Sequence, residues 1–116
     1  QLAEQVSGTE AAFAELMNQR ALEIGCKNTH FVNASGLPDE NHYTTAYDMA
    51  LICREALKNQ TFRTVIQTEN YVIPPTNITA GARELHTHHP LLASESAEHY
   101  EGCLGGKSGS TEAAGN

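Results

Sequence analysis

The residues best suited to chemistry in this sequence lie near its carboxyl end, where Lys107, Ser108 and Gly109 follow two further glycines. A lysine ammonium and a serine hydroxyl can together hold a ligand carboxylate, because both donate hydrogen bonds and the ammonium adds positive charge. Neighbouring glycines let another backbone approach closely. The same composition also suits a flexible linker-like tail. Only the position of these three residues, directly after a segment that we expect to be a strand, favours a binding site over a linker.

Three closely spaced histidines, His86, His88 and His89, form a second candidate site. Imidazole is a common zinc ligand, but this spacing lacks the carboxylate or thiol partners of recognised zinc motifs. We therefore expect a polar loop and no metal or cofactor. A noncatalytic, His-rich binding module stays open as an alternative function, and titration with zinc would separate it.

The cysteines give no further site. Cys26, Cys53 and Cys103 are odd in number and widely spaced, which fits neither a disulfide scaffold nor a CxxC metal site. We expect buried or incidental thiols.

Helical periodicity and capping residues predict the elements that position these candidates. Residues 2–6 have the pattern of the last turns of a helix that ends at Gly8. Thr9 is a good N-cap for an amphipathic helix over residues 9–24, and Thr45 with Asp48 forms a capping-box-like start for a helix over residues 45–58. A short helix over residues 61–67 follows.

Strand signals occur after these helices. Residues 71–73 predict a strand closed by two prolines, and residues 82–85 predict a second, weaker one. Residues 100–104 have the pattern of a strand that leads into Lys107. With the helices, these segments indicate an α+β fold.

Composition excludes some classes of partner. The chain has 7 Lys and Arg against 14 Asp and Glu, and no cluster of cations, which rules out a general nucleic-acid footprint. It contains no apolar run long enough to span a membrane and begins at Gln1 without the features of a signal peptide. Because the chain opens on Gln1 and not on an initiator methionine, we expect that its amino terminus was cut.

Large apolar residues are scarce for an ordered chain. Leu, Ile, Val and Phe together make up 22 of the 116 residues, or about 19%, close to the composition of disordered proteins. Clear helical periodicity argues for order, so we expect a part of a larger core. The apolar helix faces should then stay exposed or be covered by self-association of the chain.

Three blocks of sequence resemble one enzyme family. Residues 29–37 (THFVNASGL), residues 42–50 (HYTTAYDMA) and residues 105–111 (GGKSGST), with Ala114 and Gly115, are similar to the low-molecular-mass penicillin-binding proteins, the serine D-alanyl-D-alanine carboxypeptidases. The blocks occur in the family's order and at about its spacing. The resemblance implies a partial penicillin-binding-protein or β-lactamase-like transpeptidase domain, with helices and a few antiparallel strands.

The resemblance also implies roles for four residues. Lys107 would be the lysine of the third motif, contributing positive charge beside the nucleophile and the substrate carboxylate, and Ser108 would donate a hydrogen bond to that carboxylate. Gly109 would let the substrate lie alongside as an added strand. The backbone N–H of Ser110 would be one donor of the oxyanion hole. For residues 29–37 and 42–50, the resemblance implies roles in the structure of the domain.

The other two motifs of the family are absent. No serine has a lysine three residues later, and none has an asparagine two residues later. The expected account is that residues 1–116 are a fragment of one catalytic domain. The nucleophile and the Ser-x-Asn motif would lie upstream, and further strands downstream. The chain alone would then be inactive.

The implied parent is an extracytoplasmic hydrolase of the cell envelope that acts on peptidoglycan stem peptides and binds β-lactam antibiotics. The sequence leaves open its stem-peptide preference and any membrane anchor. A class A-like β-lactamase fragment is the alternative within the superfamily.

Overall fold

A computed structural model of the chain describes residues 1–113, so Ala114 and Gly115 of the third block lie outside the described residues. The described part contains helices α1 (Leu2–Ser7), α2 (Glu10–Glu23), α3 (Ala46–Ala56) and α4 (Gln60–Gln67), and strands β1 (Asn70–Ile73) and β2 (Arg83–His86). The chain divides into two compact units. The first comprises Gln1–Lys58 with the segment that begins at Ser110, and the second comprises Asn59–Gly109.

The predicted helices of the first unit are confirmed, together with their caps. The Thr9 hydroxyl accepts a hydrogen bond from Ala12 N at 3.1 Å, and the Thr45 hydroxyl accepts one from Asp48 N at 3.1 Å. Each cap satisfies an N–H group that has no partner within its helix. The segment at residues 29–32 is tied to α2 by Asn18, whose side chain exchanges two hydrogen bonds with the Phe31 backbone.

Asp48 is the one buried charged residue among residues 1–113, with 1% of its surface exposed. The sequence predicted a capping box, yet its carboxylate does not complete one. Its Oδ2 instead accepts hydrogen bonds from Lys27 N, Asn28 N and the Thr29 hydroxyl, at 3.1, 2.7 and 2.8 Å. Burial acts to raise the pKa of Asp48, but these bonds from Asn28, Thr29 and Lys27 outweigh it and hold the pKa below its usual value. Asp48 therefore fastens the turn after α2 to the start of α3.

We expect Asp48→Asn to lower the melting temperature of the chain by about 5–10 °C, because the amide offers these three donors a weaker, uncharged acceptor.

The lowered pKa of Asp48 also makes the stability of the fold depend on pH. The unfolded chain takes up the proton first as the pH falls, so the stabilisation is present above pH ~4 and is lost as the pH falls through the folded-state pKa. Thermal melting from pH 7 to pH 3 measures both effects. Glu15→Gln, at an exposed carboxylate on α2, is the control, and equal curves for the two variants would contradict this role.

The second unit contains the sheet. Strands β1 and β2 pair antiparallel, with Tyr71 opposite Leu85 and Val72 opposite Glu84. This confirms both strand predictions, the second displaced by one residue. Helix α4 is also confirmed, and the Asn59 side chain caps it by accepting a hydrogen bond from Phe62 N at 3.0 Å.

The predicted strand over residues 100–104 is wrong. Cys103 N donates to Tyr100 O at 3.0 Å, which closes a turn, and Gly102 and Gly105 have φ of 104° and 102°. Such angles belong to the left-handed region and break an extended strand. The strand leading into Lys107 is therefore replaced by a turn and an irregular segment.

Little apolar surface is buried in either unit. The buried apolar residues among residues 1–113 are Ala14, Ala21 and Cys26, all in the first unit. Apolar side chains of α2 and α3, including Phe13, Met17 and Ile52, instead line an open cavity of about 300 Å³, together with Ile24 just after α2. Leu22 and Tyr47 are more than 70% exposed. The expectation that these helices keep uncovered apolar surface is confirmed. No helix among residues 1–113 has the length and apolar content to cross a membrane.

Candidate active site

The four residues that the sequence singled out are consecutive and exposed. Lys107, Ser108 and Gly109 end the second unit, and Ser110 begins the last segment of the first. Lys107 Nζ donates a hydrogen bond to the carbonyl oxygen of Ser108. No heavy atom lies within 4 Å of the position that a Cβ would take on Gly109. The side chains of Lys107 and Ser108 are therefore accessible to a ligand.

The segment before Lys107 packs tightly. A Cβ on Gly105 would collide with the backbone carbonyl of Ile66 at the end of α4, and its φ of 102° disfavours any other residue. Gly105 N also donates to the Cys103 sulfur at 3.4 Å. The expectation that glycines here permit a close backbone approach is confirmed.

The loop that carries the histidines is tied to the start of β1 by Glu69. Its Oε1 accepts hydrogen bonds from the N–H and the hydroxyl of Ser94, both at 2.7 Å. The Ser94 hydroxyl and then its N–H lower the pKa of Glu69, and the charge of His99 adds to the effect. The Glu69 backbone carbonyl accepts from Thr87 N at 2.7 Å. These contacts fix the loop from both ends.

The three histidines have different surroundings, and the expected polar loop holds only for His88 and His89, because His86 is the last residue of β2. His86 and His88 are exposed, and His86 Nδ1 lies 2.7 Å from Asn70 Oδ1. His89 is half-buried, with its ring against Gly106. Among residues 1–113 there is no group of three or more His, Cys, Asp or Glu side chains placed to hold a metal ion.

The cysteines are free thiols in three different environments. Cys26 is buried, Cys103 is half-buried and Cys53 is exposed. Burial is the main cause that raises the pKa of Cys26, and the charge of Asp48 adds to it. The expectation of buried thiols therefore holds for Cys26, whereas Cys103 is the thiol whose sulfur contacts the segment before Lys107.

A cleft in the first unit lies beside the residues that follow Ser110. It has a volume of about 500 Å³, and residues 36–42 form one side of it. Asp39, Glu40 and His42 supply polar groups, while Leu37 and Pro38 supply apolar surface. The second sequence block, residues 42–50, therefore contributes His42 to this cleft and Asp48 to the buried contact with the turn after α2.

Sequence reasoning missed two neighbours of the segment before Lys107. Ile66 and His89 contact it from positions 39 and 17 residues away from Gly105 and Gly106, respectively. The only sequence signal was the glycine pair itself, because adjacent glycines indicate a tight approach without identifying what approaches.

Comparison with known proteins adds independent information. Over residues 1–116 the sequence matches the model of a family described as D-alanyl-D-alanine carboxypeptidase. A D-alanyl-D-alanine carboxypeptidase of Streptomyces sp. strain K15 is 35% identical over 112 residues, covering 90% of this chain and 37% of that protein. The carboxypeptidase DacF of Bacillus subtilis is 51% identical over 57 residues, covering 49% of this chain and 15% of DacF.

Solved structures show the same relationship. The crystal structure of a D-alanyl-D-alanine carboxypeptidase from Mycobacterium tuberculosis superposes with a TM-score of 0.77 at 28% identity, covering 95% of this chain and 39% of that one. The crystal structure of the Streptomyces K15 DD-transpeptidase superposes with a TM-score of 0.72 at 34% identity, covering 87% of this chain and 38% of that one. The chain thus spans less than half the length of these relatives.

Proposed function

Because the chain belongs to the D-alanyl-D-alanine carboxypeptidase family, we propose that it is part of the catalytic domain of a serine peptidase. The enzyme removes the terminal D-alanine from peptidoglycan stem peptides, and it binds β-lactams as mimics of the D-Ala-D-Ala terminus. The observation that carries the proposal is the family match over the whole chain, residues 1–116. The peptidoglycan substrate places the enzyme outside the cytoplasm.

The reaction proceeds through an acyl-enzyme. A serine activated by a lysine, both outside this chain, attacks the carbonyl of the terminal peptide bond and gives up its proton to the base. The bond to nitrogen breaks, a proton is returned to that nitrogen, and D-alanine leaves. Water then hydrolyses the ester and regenerates the serine.

The exposed residues at the end of the second unit bind the substrate terminus. The Lys107 ammonium and the Ser108 hydroxyl hold its carboxylate, which is a charge-assisted interaction and hence stronger than one between neutral groups. The hydrogen bond from Lys107 to the adjacent carbonyl is local, so the ammonium can exchange it for a ligand. Both side chains are exposed, which supports this role.

Gly109 and Ser110 act through their backbone. The open side of Gly109 leaves room for an extended peptide to pair beside it. The Ser110 N–H stabilises the oxyanion that forms when the serine attacks, and the nucleophile's own N–H is the second donor.

The rest of the domain lies outside the 116 residues. Three observations support this: the relatives are more than twice as long, the helices keep uncovered apolar faces, and the chain has no Ser-x-x-Lys or Ser-x-Asn. The apolar surface of α2 and α3 then packs against the missing part of the same domain.

The proposal is tested on the parent protein. Its reading frame should encode Ser-x-x-Lys and then Ser-x-Asn ahead of Gln1, and the purified protein should release D-alanine from a peptide that ends in D-Ala-D-Ala. The same peptide ending in L-Ala is the matched control. Substituting the upstream serine by alanine should abolish release, because no nucleophile remains. A parent without these motifs, or one that releases D-alanine equally after the substitution, would refute the proposal.

A further inference from the structure

The ring of His89 occupies the space that a side chain on Gly106 would need. A Cβ built on Gly106 would lie 2.6 Å from His89 Nε2 and 2.8 Å from His89 Cδ2. Both distances are far below the ~3.5–4.0 Å of a favourable contact between heavy atoms. While the His89 ring keeps this position, only a glycine fits at position 106.

The backbone of His89 is held by hydrogen bonds within its loop. Its backbone N–H donates to the Thr87 hydroxyl at 3.2 Å, and its carbonyl accepts hydrogen bonds from Leu92 N and Ala93 N at 2.9 and 3.0 Å. Its Nδ1 is buried and makes no hydrogen bond with any residue of 1–113. The half-buried ring therefore contacts Gly106 through shape.

The preceding residue, Gly105, is also restricted, because the backbone carbonyl of Ile66 lies where a Cβ on Gly105 would be. Residues 105 and 106 therefore each meet a close neighbour within the second unit, just before Lys107.

From this geometry, and on the basis of the function proposed above, we propose that His89 is a positioning residue for Lys107. The imidazole acts as a steric support in place of a side chain at position 106 and fixes the path of the chain into Lys107, Ser108 and Gly109. It does not touch the substrate. Its contribution is the placement of the ammonium that receives the substrate or β-lactam carboxylate.

The test is a double-mutant cycle in the intact parent, measured as the rate constant of acylation by a fluorescent penicillin over a range of concentrations. We expect Gly106→Ala to slow acylation by about 10²-fold, the loss typical of a misplacement near 1 Å. Adding His89→Ala removes the clash and should restore the rate by at least about tenfold. His89→Ala alone should lower the rate, and His89→Phe, which keeps a planar ring, should retain most of it.

Matched controls come from the same unit. His88 is exposed, and a Cβ on Gly81 would meet no heavy atom within 4 Å. His88→Ala and Gly81→Ala should therefore leave acylation unchanged. Melting temperatures separate positioning from folding. A positioning role lowers acylation at temperatures where every variant is folded, and if Gly106→Ala does not fold, His89→Ala and His89→Phe still give the comparison.

The outcomes distinguish the two proposals. If the wild-type parent takes no label, or if Lys107→Ala does not slow labelling, the proposed function is wrong and the positioning role falls with it. If Lys107→Ala slows labelling but Gly106→Ala does not, or the double variant is no faster than Gly106→Ala, only the role of His89 is refuted. A His89→Phe rate as low as that of His89→Ala would also refute the steric mechanism.

Discussion

Lys107→Ala is expected to slow the acylation of the parent enzyme by penicillin at least about 10²-fold, the scale seen when one preorganised electrostatic group is lost from an active site. In the proposed site, the ammonium complements the carboxylate that penicillin shares with the D-Ala-D-Ala terminus. Lys107→Arg should recover part of the rate, because the planar guanidinium keeps the charge and loses the compact geometry. Stopped-flow measurement with a fluorescent penicillin gives the rate constants.

Two controls make this result specific. Lys27 is an exposed lysine of the first unit, and Lys27→Ala should leave the rate unchanged. A penicillin whose carboxylate is esterified should react slowly with the wild type and lose little further rate with Lys107→Ala, because the group that the lysine recognises is gone. An unimpaired Lys107→Ala enzyme, or an equal loss with the ester, would refute the role of Lys107.

The second large effect is the absence of any reaction in the chain itself. The 116-residue chain should form no acyl adduct with penicillin, whereas the parent should gain one penicillin mass per molecule. None of its serines has a lysine three residues later, so none has the activating base of the family. Intact-mass spectrometry compares the two proteins directly.

Thiol chemistry has to be separated from acylation in that experiment. Cys26, Cys53 and Cys103 are free, and Cys53 is exposed. Blocking the thiols before incubation prevents penicillin from reacting with cysteine and leaves the serines unchanged. A stoichiometric adduct that survives thiol blocking would show that the chain contains its own nucleophile, and would contradict the proposal that it lies upstream.

Local signals in the sequence were sufficient for the helices. Thr9 and Thr45 cap α2 and α3 as predicted, because a cap and a helical repeat involve residues within one or two turns. The same holds for β1, which prolines close at Pro74 and Pro75. The resemblance to the family was also apparent from sequence, since Lys107 and Ser108 belong to a short contiguous block.

The strand expected over residues 100–104 shows where local reasoning failed. Its alternating side chains suit a strand, but Gly102 and Gly105 adopt positive φ and turn the chain. A strand also needs a neighbour to take up its backbone hydrogen bonds. Whether such a neighbour is present depends on the fold and not on the five residues themselves.

By itself, the sequence determined the family and the helices with their caps, and it singled out the lysine and serine that we propose hold a carboxylate. Only the tertiary structure decided that Asp48 anchors the turn at Lys27 and Asn28, and that His89 stands where a side chain on Gly106 would be. The physical reason is distance along the chain. Caps and periodicity act between residues a few positions apart, whereas these contacts join residues 17 or more positions apart, and only the packing of whole elements brings them together.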